Sequence, residues 1–357
     1  MSKKPLILGI ESSCDETAAS LITENEEGFP VVLSNIVSSQ VEVHREFGGV
    51  VPELAARSHI EKIDWIVKKA IDESGRKIEE IDAVASTAGP GLIVCLSVGL
   101  SFGKAFATAM NKPFIAVNHL EGHALSPKLN TNLNYPYLLL LISGGHSQYL
   151  SVQNLGKYKR LGTTIDDALG EAFDKTAKLL GIEFPGGPQI EILAKKGDPE
   201  KYDLPKPIFS KGGCNLSFAG LKTAVLKISK TIKSEQDKYD LAASFQKTIE
   251  EILYKKTKIA FNEFEKMNEF NKKIFVVAGG VAANKKIREV LKNLCKEEKF
   301  NAIFPPINLC GDNAAMIAMV GLEKFKLNQF NELDHPANPR WPLDKNAIFL
   351  KGSGVRL

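Results

Sequence analysis

"PYLLLLISGGHSQYLSV", residues 136–152, repeats in pattern but not in letters the stretch "PLILGIESSCDETAASLI" of residues 5–22. Each begins at a proline, runs apolar, turns through a short polar stretch ("SGGH" or "ESSCDE") and continues as a second strand-forming run. A third strand candidate follows each pair, "FPVVLSNIV" (29–37) in the first case and "YKRLGTT" (158–164) in the second. What comes next also corresponds. After the first trio, "VPELAARSHIEKIDWIVKKAI" (51–71) places Leu54, Ile60, Ile63, Ile66 and Val67 near a 3.6-residue stripe, which predicts a helix. The strand "DAVAST", a helix after "AGPG" and the strand "FIAV" complete the set. After the second trio the order is the helix "DDALGEAFDKTAKLLG", the strand "KIFVVA", the helix "NKKIREVLKNLC", the strand "NAIF" and a last helix beginning near Asp312.

Three strands, then helix, strand, helix, strand, written twice, predict an α/β protein with a duplicated ribonuclease-H-like fold, as in actin, Hsp70 and the sugar kinases. Two lobes would then flank a nucleotide-sized cleft. Residues 1–125 are expected to form the first lobe, with the segment from about 325 to 357 packing back on it. Residues 126–324 are expected to form the second, carrying a mainly helical insert over about 183–270.

Composition is that of an ordinary globular protein: 357 residues, 44% hydrophobic and 25% charged. A net charge of +4 permits a polyanionic partner without announcing one. The five cysteines, Cys14, Cys95, Cys214, Cys295 and Cys310, are scattered and form no C-x-x-C pair, which argues against a disulfide framework or a zinc ribbon. The apolar run at the N-terminus is cut short by Glu11, so neither a signal peptide nor a membrane span is expected and a reducing cytoplasm fits.

Chemistry concentrates in the turns. Gly144 and Gly145 remove side chains where backbone N–H groups and the Ser143 hydroxyl would meet phosphate oxygens, and "VVAGGVAANKK" takes a strand through Gly-Gly into a helix starting near Asn284. Each turn by itself reads equally as a tight turn with an N-cap; several at corresponding places favour a ligand. His119 and His123 in "NHLEGH" lie one helical turn apart, and Asp312 follows the last strand of the second repeat, so pseudo-symmetry would bring all three together. Two imidazoles and a carboxylate with open positions suit Fe(II) or Zn(II). A zincin would need Glu at position 120, which is Leu120 here, and Glu121 points to another helical face. His44 and His59 read as residues that orient backbone, the Asp167, Glu171 and Asp174 stripe as a solvated helix face, and "KKIREVLKNLCKEEK" as an exposed helix.

Taken in order, "LGIESSCDET", "GGVVPELAARSHI", "TAGPGL", "NHLEGH", "LISGGHSQ", "IDDALGEAFDKTAKLLG", "PGGP", "LSFAGLKT", "AGGVAANKKIR", "DNAAMIA" and "RWPL" resemble the TsaD (Kae/Gcp/YgjD) family over nearly the whole chain. The resemblance implies transfer of a threonylcarbamoyl group from threonylcarbamoyl-AMP to the N6 amine of adenosine 37 in tRNAs reading codons that begin with A, giving t6A. By residue-wise correspondence it implies His119, His123 and Asp312 as ligands of one metal ion, Fe(II) before Zn(II). It likewise implies Leu141, Ile142, Ser143, Gly144, Gly145, Asp174, Gly187 and Asn284 as substrate contacts. "CGDNAAM" and "AARSH" depart slightly from the forms frequent in the family, with no ligand lost.

An adenylate is already activated, so the reaction needs a polarised carbonyl and an aligned nucleophile, and Asp15 or Glu16 is the expected base for the poorly nucleophilic amine. Implied partners are tRNA, a TsaB-like paralogue, a TsaE-like ATPase and a separate synthase of the adenylate, the chain having no G-x-x-x-x-G-K-[ST] loop of its own. The helix of residues 51–71 is a candidate docking face for the paralogue. A sugar-kinase-like phosphotransferase is the rival reading, and a metallopeptidase, lacking its base, a lesser one.

Overall fold

The computed structural model describes residues 4–209, 212–267 and 273–348. Residues 349–357 of the expected C-terminal segment, and 210–211 and 268–270 of the expected insert, lie outside the described residues.

The first unit comprises the described residues of Met1–Asn134 and Gly311–Leu343. Its sheet holds β1 (Ile7–Glu11), β2 (Glu16–Glu24), β3 (Pro30–Ser39), β4 (Ala83–Gly89) and β5 (Phe114–Asn118) in the order β3-β2-β1-β4-β5. The first three strands are antiparallel neighbours, and β4 and β5 add in parallel. All five residues of β1 are buried because both faces of the sheet are covered. Helices α1 (Val41–Arg45), α2 (Pro52–Ser74), α3 (Ile93–Ala109) and α4 (His119–Leu125) come from the first part of the chain, and α10 (Ala314–Lys326) from its end. Alternation along β1 sorts them. Ile10 meets α3, whereas a Cβ at Gly9 would sit 2.5 Å from the Ala314 carbonyl oxygen, so only glycine lets α10 lie this close to the strand.

The second unit comprises the described residues of Tyr135–Cys310 and Asp344–Arg356. Strands β6 (Tyr137–Ile142), β7 (Ser147–Asn154), β8 (Lys157–Thr163), β9 (Ile274–Ala278) and β10 (Asn301–Ile303) form a sheet of order β10-β9-β6-β7-β8. Again the first three strands are antiparallel neighbours and the last two parallel ones, so the topology of the first sheet recurs. Helices α5 (Leu169–Leu179), α6 (Gly186–Ala194), α7 (Ala219–Ser229), α8 (Glu235–Met267) and α9 (Lys285–Glu297) surround it. Phe173, Phe245, Phe261 and Phe275 anchor its core, meeting edge to face in two pairs.

Two expectations change. The place of residues 311–324 in the repeat predicts the second lobe, yet α10 packs on β1, β2 and β4 of the first sheet, and the described part of the C-terminal segment after Leu343 goes with the second unit. A helix is placed by the surface it buries, and α10 is buried along nearly its whole length, with Ala314, Ala315, Met316, Ile317, Ala318, Met319, Val320, Gly321 and Leu322 all inside. On α2 the buried face runs through Ala55, Ser58, His59, Ile63, Ile66, Val67 and Ala70, leaving Ile60 65% exposed. Small and polar residues occupy part of the inner stripe, so counting large apolar side chains rotates it.

Candidate metal centre and substrate turns

Parallel pairing ends β1, β4 and β5 at one edge of the first sheet, and the chemistry collects there. Asn118, the last residue of β5, turns its side chain to cap α4, accepting from the N–H of Leu120 at 2.9 Å and of Glu121 at 3.4 Å. That cap starts a helix whose first and fifth residues are His119 and His123, facing the same side one turn apart. Asp312 comes from the other end of the chain. Asn313 caps α10 by accepting from the Met316 N–H at 3.1 Å and donates to the Gly311 carbonyl at 2.8 Å, fixing the backbone on both sides of Asp312.

The three ligand candidates converge with their donor atoms within 4.8 Å of one another. Asp312 Oδ1 lies 3.1 Å from His123 Nε2 and 3.5 Å from His119 Nε2, and the imidazoles meet edge to face at 4.7 Å. Two imidazole nitrogens and one carboxylate oxygen, side chains 0 to 22% exposed, fit a divalent cation of borderline softness. Burial works against an imidazolium at His119, but Asp312 and Glu11 outweigh it and push its pKa up to about 9, so without a cation a proton takes the cation's electrostatic place. His123 is fully buried, and its Nδ1 has no hydrogen-bond partner among the described residues. Glu121, the carboxylate between the two histidines in the chain, is paired with Lys324 of α10 at 3.2 Å.

The turn after β1 carries Asp15 and Glu16. Burial first, and then the neighbouring carboxylates of Asp15 and Asp312, hold the Glu16 carboxyl well above the usual carboxylate range. The same turn is pinned from outside: His59 Nε2 donates toward the Cys14 carbonyl at 3.0 Å, and its Nδ1 is 2.7 Å from Thr17 Oγ1. His44, also buried, lies 3.3 Å from Gln40 Oε1 through Nε2. Both histidines orient backbone and neighbouring polar groups.

In the second unit the predicted substrate residues occupy three places. Leu141 and Ile142 end β6 with side chains wholly buried, so only their main chain can face a ligand. Ser143 closes the following turn, its N–H donating to the His146 carbonyl at 2.8 Å and its Oγ accepting from the His146 N–H at 3.1 Å. The hydroxyl hydrogen is thus not used in closing that turn. Gly144 and Gly145 have neither positive φ nor any atom within 4 Å of where a Cβ would sit, so nothing in the fold requires glycine there. Gly279 is the opposite case, with φ +94° and the Ile142 carbonyl oxygen 2.4 Å from its Cβ position.

Asp174, on α5, accepts from the Gly186 N–H at 2.8 Å and so satisfies a free donor at the start of α6, where Gly187 follows. Asn284 caps α9 through the Ile287 N–H at 3.0 Å and exchanges amide bonds with Gln246, donating to Gln246 Oε1 at 2.9 Å. Much of its polar capacity is spent within the fold. The solvated-face expectation for Asp167 is corrected: it is 3% exposed and paired with Lys175 at 3.1 Å and Lys222 at 2.7 Å, because α7 folds over it.

Three residues escape the sequence reading: Glu11 and Ser13, which contact His119, and Thr87, which donates to Glu11; the first ends an apolar run and the others lie in a turn and a strand, places that carry no signal of their own. It also missed Asn118 and Asn313 as caps, although an asparagine immediately before each helix is the expected signature.

Comparison with known proteins agrees with this architecture. The family model described as "TsaD: tRNA N6-adenosine threonylcarbamoyltransferase" matches residues 31–319. A protein of Pelagibacter ubique (strain HTCC1062) bearing the name tRNA N6-adenosine threonylcarbamoyltransferase is 83% identical over 357 residues, covering 100% of both chains. One of the same name from Rickettsia conorii is 54% identical over 341 residues, covering 95% of this chain and 98% of its own. Among solved structures, T. kodakarensis HypF superposes with a TM-score of 0.62 at 13% identity, over 94% of this chain and 50% of its own. A full-length HypF in the phosphate- and nucleotide-bound form gives 0.58 at 14% identity, over 93% and 48%. These structural likenesses bear on the fold, a duplicated ribonuclease-H-like one.

Proposed function

Because the chain belongs to the TsaD family of tRNA N6-adenosine threonylcarbamoyltransferases, we propose that it transfers L-threonylcarbamoyl from threonylcarbamoyl-AMP to N6 of adenosine 37, forming t6A, with a metal ion held by His119, His123 and Asp312. The observation that carries the metal assignment is the convergence of two Nε2 atoms and one Oδ1 on one spot. Two histidines and one carboxylate with open positions favour Fe(II), with Zn(II) second. When bound, such a cation supplies Lewis-acid polarisation of a carbonyl or phosphoryl oxygen.

The protein's own groups do the rest. The backbone N–H groups of Gly144 and Gly145 and the Ser143 hydroxyl hold the adenylate's phosphate, and AMP then departs as a good leaving group. As the N6 nitrogen attacks the carbamoyl carbon, Glu16 or Asp15 takes its proton; the raised affinity of Glu16 for a proton supports that role. Gly187 lets the backbone approach the ligand, and Asp174 and Asn284 fix the elements around it.

We further propose that a TsaB-like paralogue and a TsaE-like ATPase sustain turnover, that a separate synthase supplies the adenylate, and that the enzyme works in the cytoplasm. No helix among the described residues is long and apolar enough to cross a membrane. A sugar-kinase-like reaction is disfavoured by a nitrogen-rich cation site, since Mg-dependent phosphoryl transfer uses oxygen ligands, and a peptidase by the engagement of Glu121 with Lys324.

Labelled threonine, bicarbonate, ATP, the synthase and unmodified tRNA, incubated with this protein, test the reading directly. Threonine label in tRNA is expected, weak with this chain alone and sustained when the two partners are added. No label in tRNA under either condition would overturn the transferase reading, and undiminished turnover by the isolated chain would remove the partner requirement.

A further inference from the structure

We propose that Glu11 is a positioning residue for the metal ligand His119, and that it ties that ligand to the turn bearing Asp15 and Glu16. The inference rests on the metal reading above. Glu11 ends β1 and is 1% exposed, an expensive place for a carboxylate unless every lone pair is used. They are used in three directions. Thr87 Oγ1 on β4 donates to Oε2 at 2.6 Å, the Ser13 N–H donates to Oε1 at 2.5 Å, and His119 Nδ1 lies 3.1 Å from Oε2.

None of these bonds reaches the converging face of the cluster, which His119 presents through Nε2. A neutral imidazole has one N–H. If Nδ1 donates it to Glu11, Nε2 is left with its lone pair aimed at Asp312, the tautomer and orientation that a cation needs. Glu11 therefore fixes which nitrogen His119 offers and how its ring is turned before any ion arrives. Ser13 Oγ, 3.2 Å from the same Nδ1, is the only competing partner among the described residues, and Ser13's own N–H is bound to Glu11. Displacing the carboxylate would release the imidazole and the start of the Ser13–Glu16 turn together. His123 has no such support, its Nδ1 being buried without a partner among the described residues, so the preorganisation of this pair falls on His119.

The test uses metal-stripped full-length protein and Co(II) as probe, followed by its d–d absorption, with Zn(II) competition for affinity. Glu11→Gln keeps the volume, and should weaken Co(II) binding about 10- to 100-fold and alter the d–d bands while the circular dichroism stays that of the parent. A purely structural role for Glu11 would lower the melting temperature but leave affinity and spectrum of the folded protein unchanged, and that result would overturn the proposal. Should Glu11→Gln not fold, Thr87→Val removes only the hydroxyl that orients the carboxylate. A loss of about 3- to 10-fold in Co(II) affinity is expected there, and none would overturn the proposal. Failure of the parent itself to bind Co(II) or Zn(II) would instead bring down the metal reading.

Discussion

The cluster of His119, His123 and Asp312 and the turn of Ser143, Gly144 and Gly145 are built on opposite plans, although each sits beyond the end of the corresponding sheet's parallel strands. The first is made of side chains: buried, capped at Asn118 and Asn313, and braced by a buried carboxylate. The second is made of what is missing, with open space where two Cβ atoms would stand and backbone groups left to face outward. Side chains brought out of water must be satisfied by the protein or by a ligand, so such a site writes itself into packing and hydrogen bonds. A backbone cradle would carry almost no such signature, and what the structure shows at this turn is two glycines that the fold does not need.

The comparison breaks first at the cluster. His123→Ala and Asp312→Ala should each reduce transfer by more than about 100-fold, since even outer partners of metal ligands are worth 10–100-fold. Elemental analysis would show the bound metal lost with the activity. Retention of full metal by Asp312→Ala would remove Asp312 from the ligand set.

Glycines give the next contrast. Gly279→Val forces a side chain against the Ile142 carbonyl oxygen at positive φ and should leave little soluble, folded protein. Gly144→Val meets nothing, so its melting temperature should match the parent's while calorimetry shows affinity for AMP down by about 10-fold, a side chain now standing where the phosphate would bind. Equal AMP affinity would mean the turn serves the fold alone.

Glu16 sharpens the comparison through pH. Its folded-state carboxyl binds a proton more tightly than an unfolded glutamate, so between the two pKa values the folded state carries more protons, and stability is lost as pH rises through the folded value. In metal-free protein, Glu16→Gln should therefore melt higher than the parent at neutral pH and no higher at pH values below the ordinary carboxylate range. Transfer should fall in the same variant if Glu16 is the base. Unchanged transfer with raised stability would leave Asp15 as the candidate.

The smallest effect belongs to a residue with a visible structural task. Asp174→Ala removes the acceptor for the Gly186 N–H and should cost about 1 kcal/mol in urea unfolding. A loss of AMP affinity beyond that cost would assign Asp174 to the ligand as well.

Much of this was legible in the chain itself. Short strand-forming runs bounded by polar turns announced all ten strands of the two sheets, and their repeated order announced the duplication, because strand formation is written locally and twice. The i, i+4 spacing of His119 and His123 gave two of the three members of the cluster for the same local reason.

Tertiary structure decided the rest. It took α10 from the second repeat and laid it against Gly9 of the first sheet, which brought Asp312 to the histidines. It turned Glu11 from the end of an apolar strand into the acceptor for His119, and His44 and His59 into braces. Periodicity reports only which residues share a face of their own element. Which faces meet depends on buried area summed over segments distant in the chain, and that sum exists only in the folded molecule.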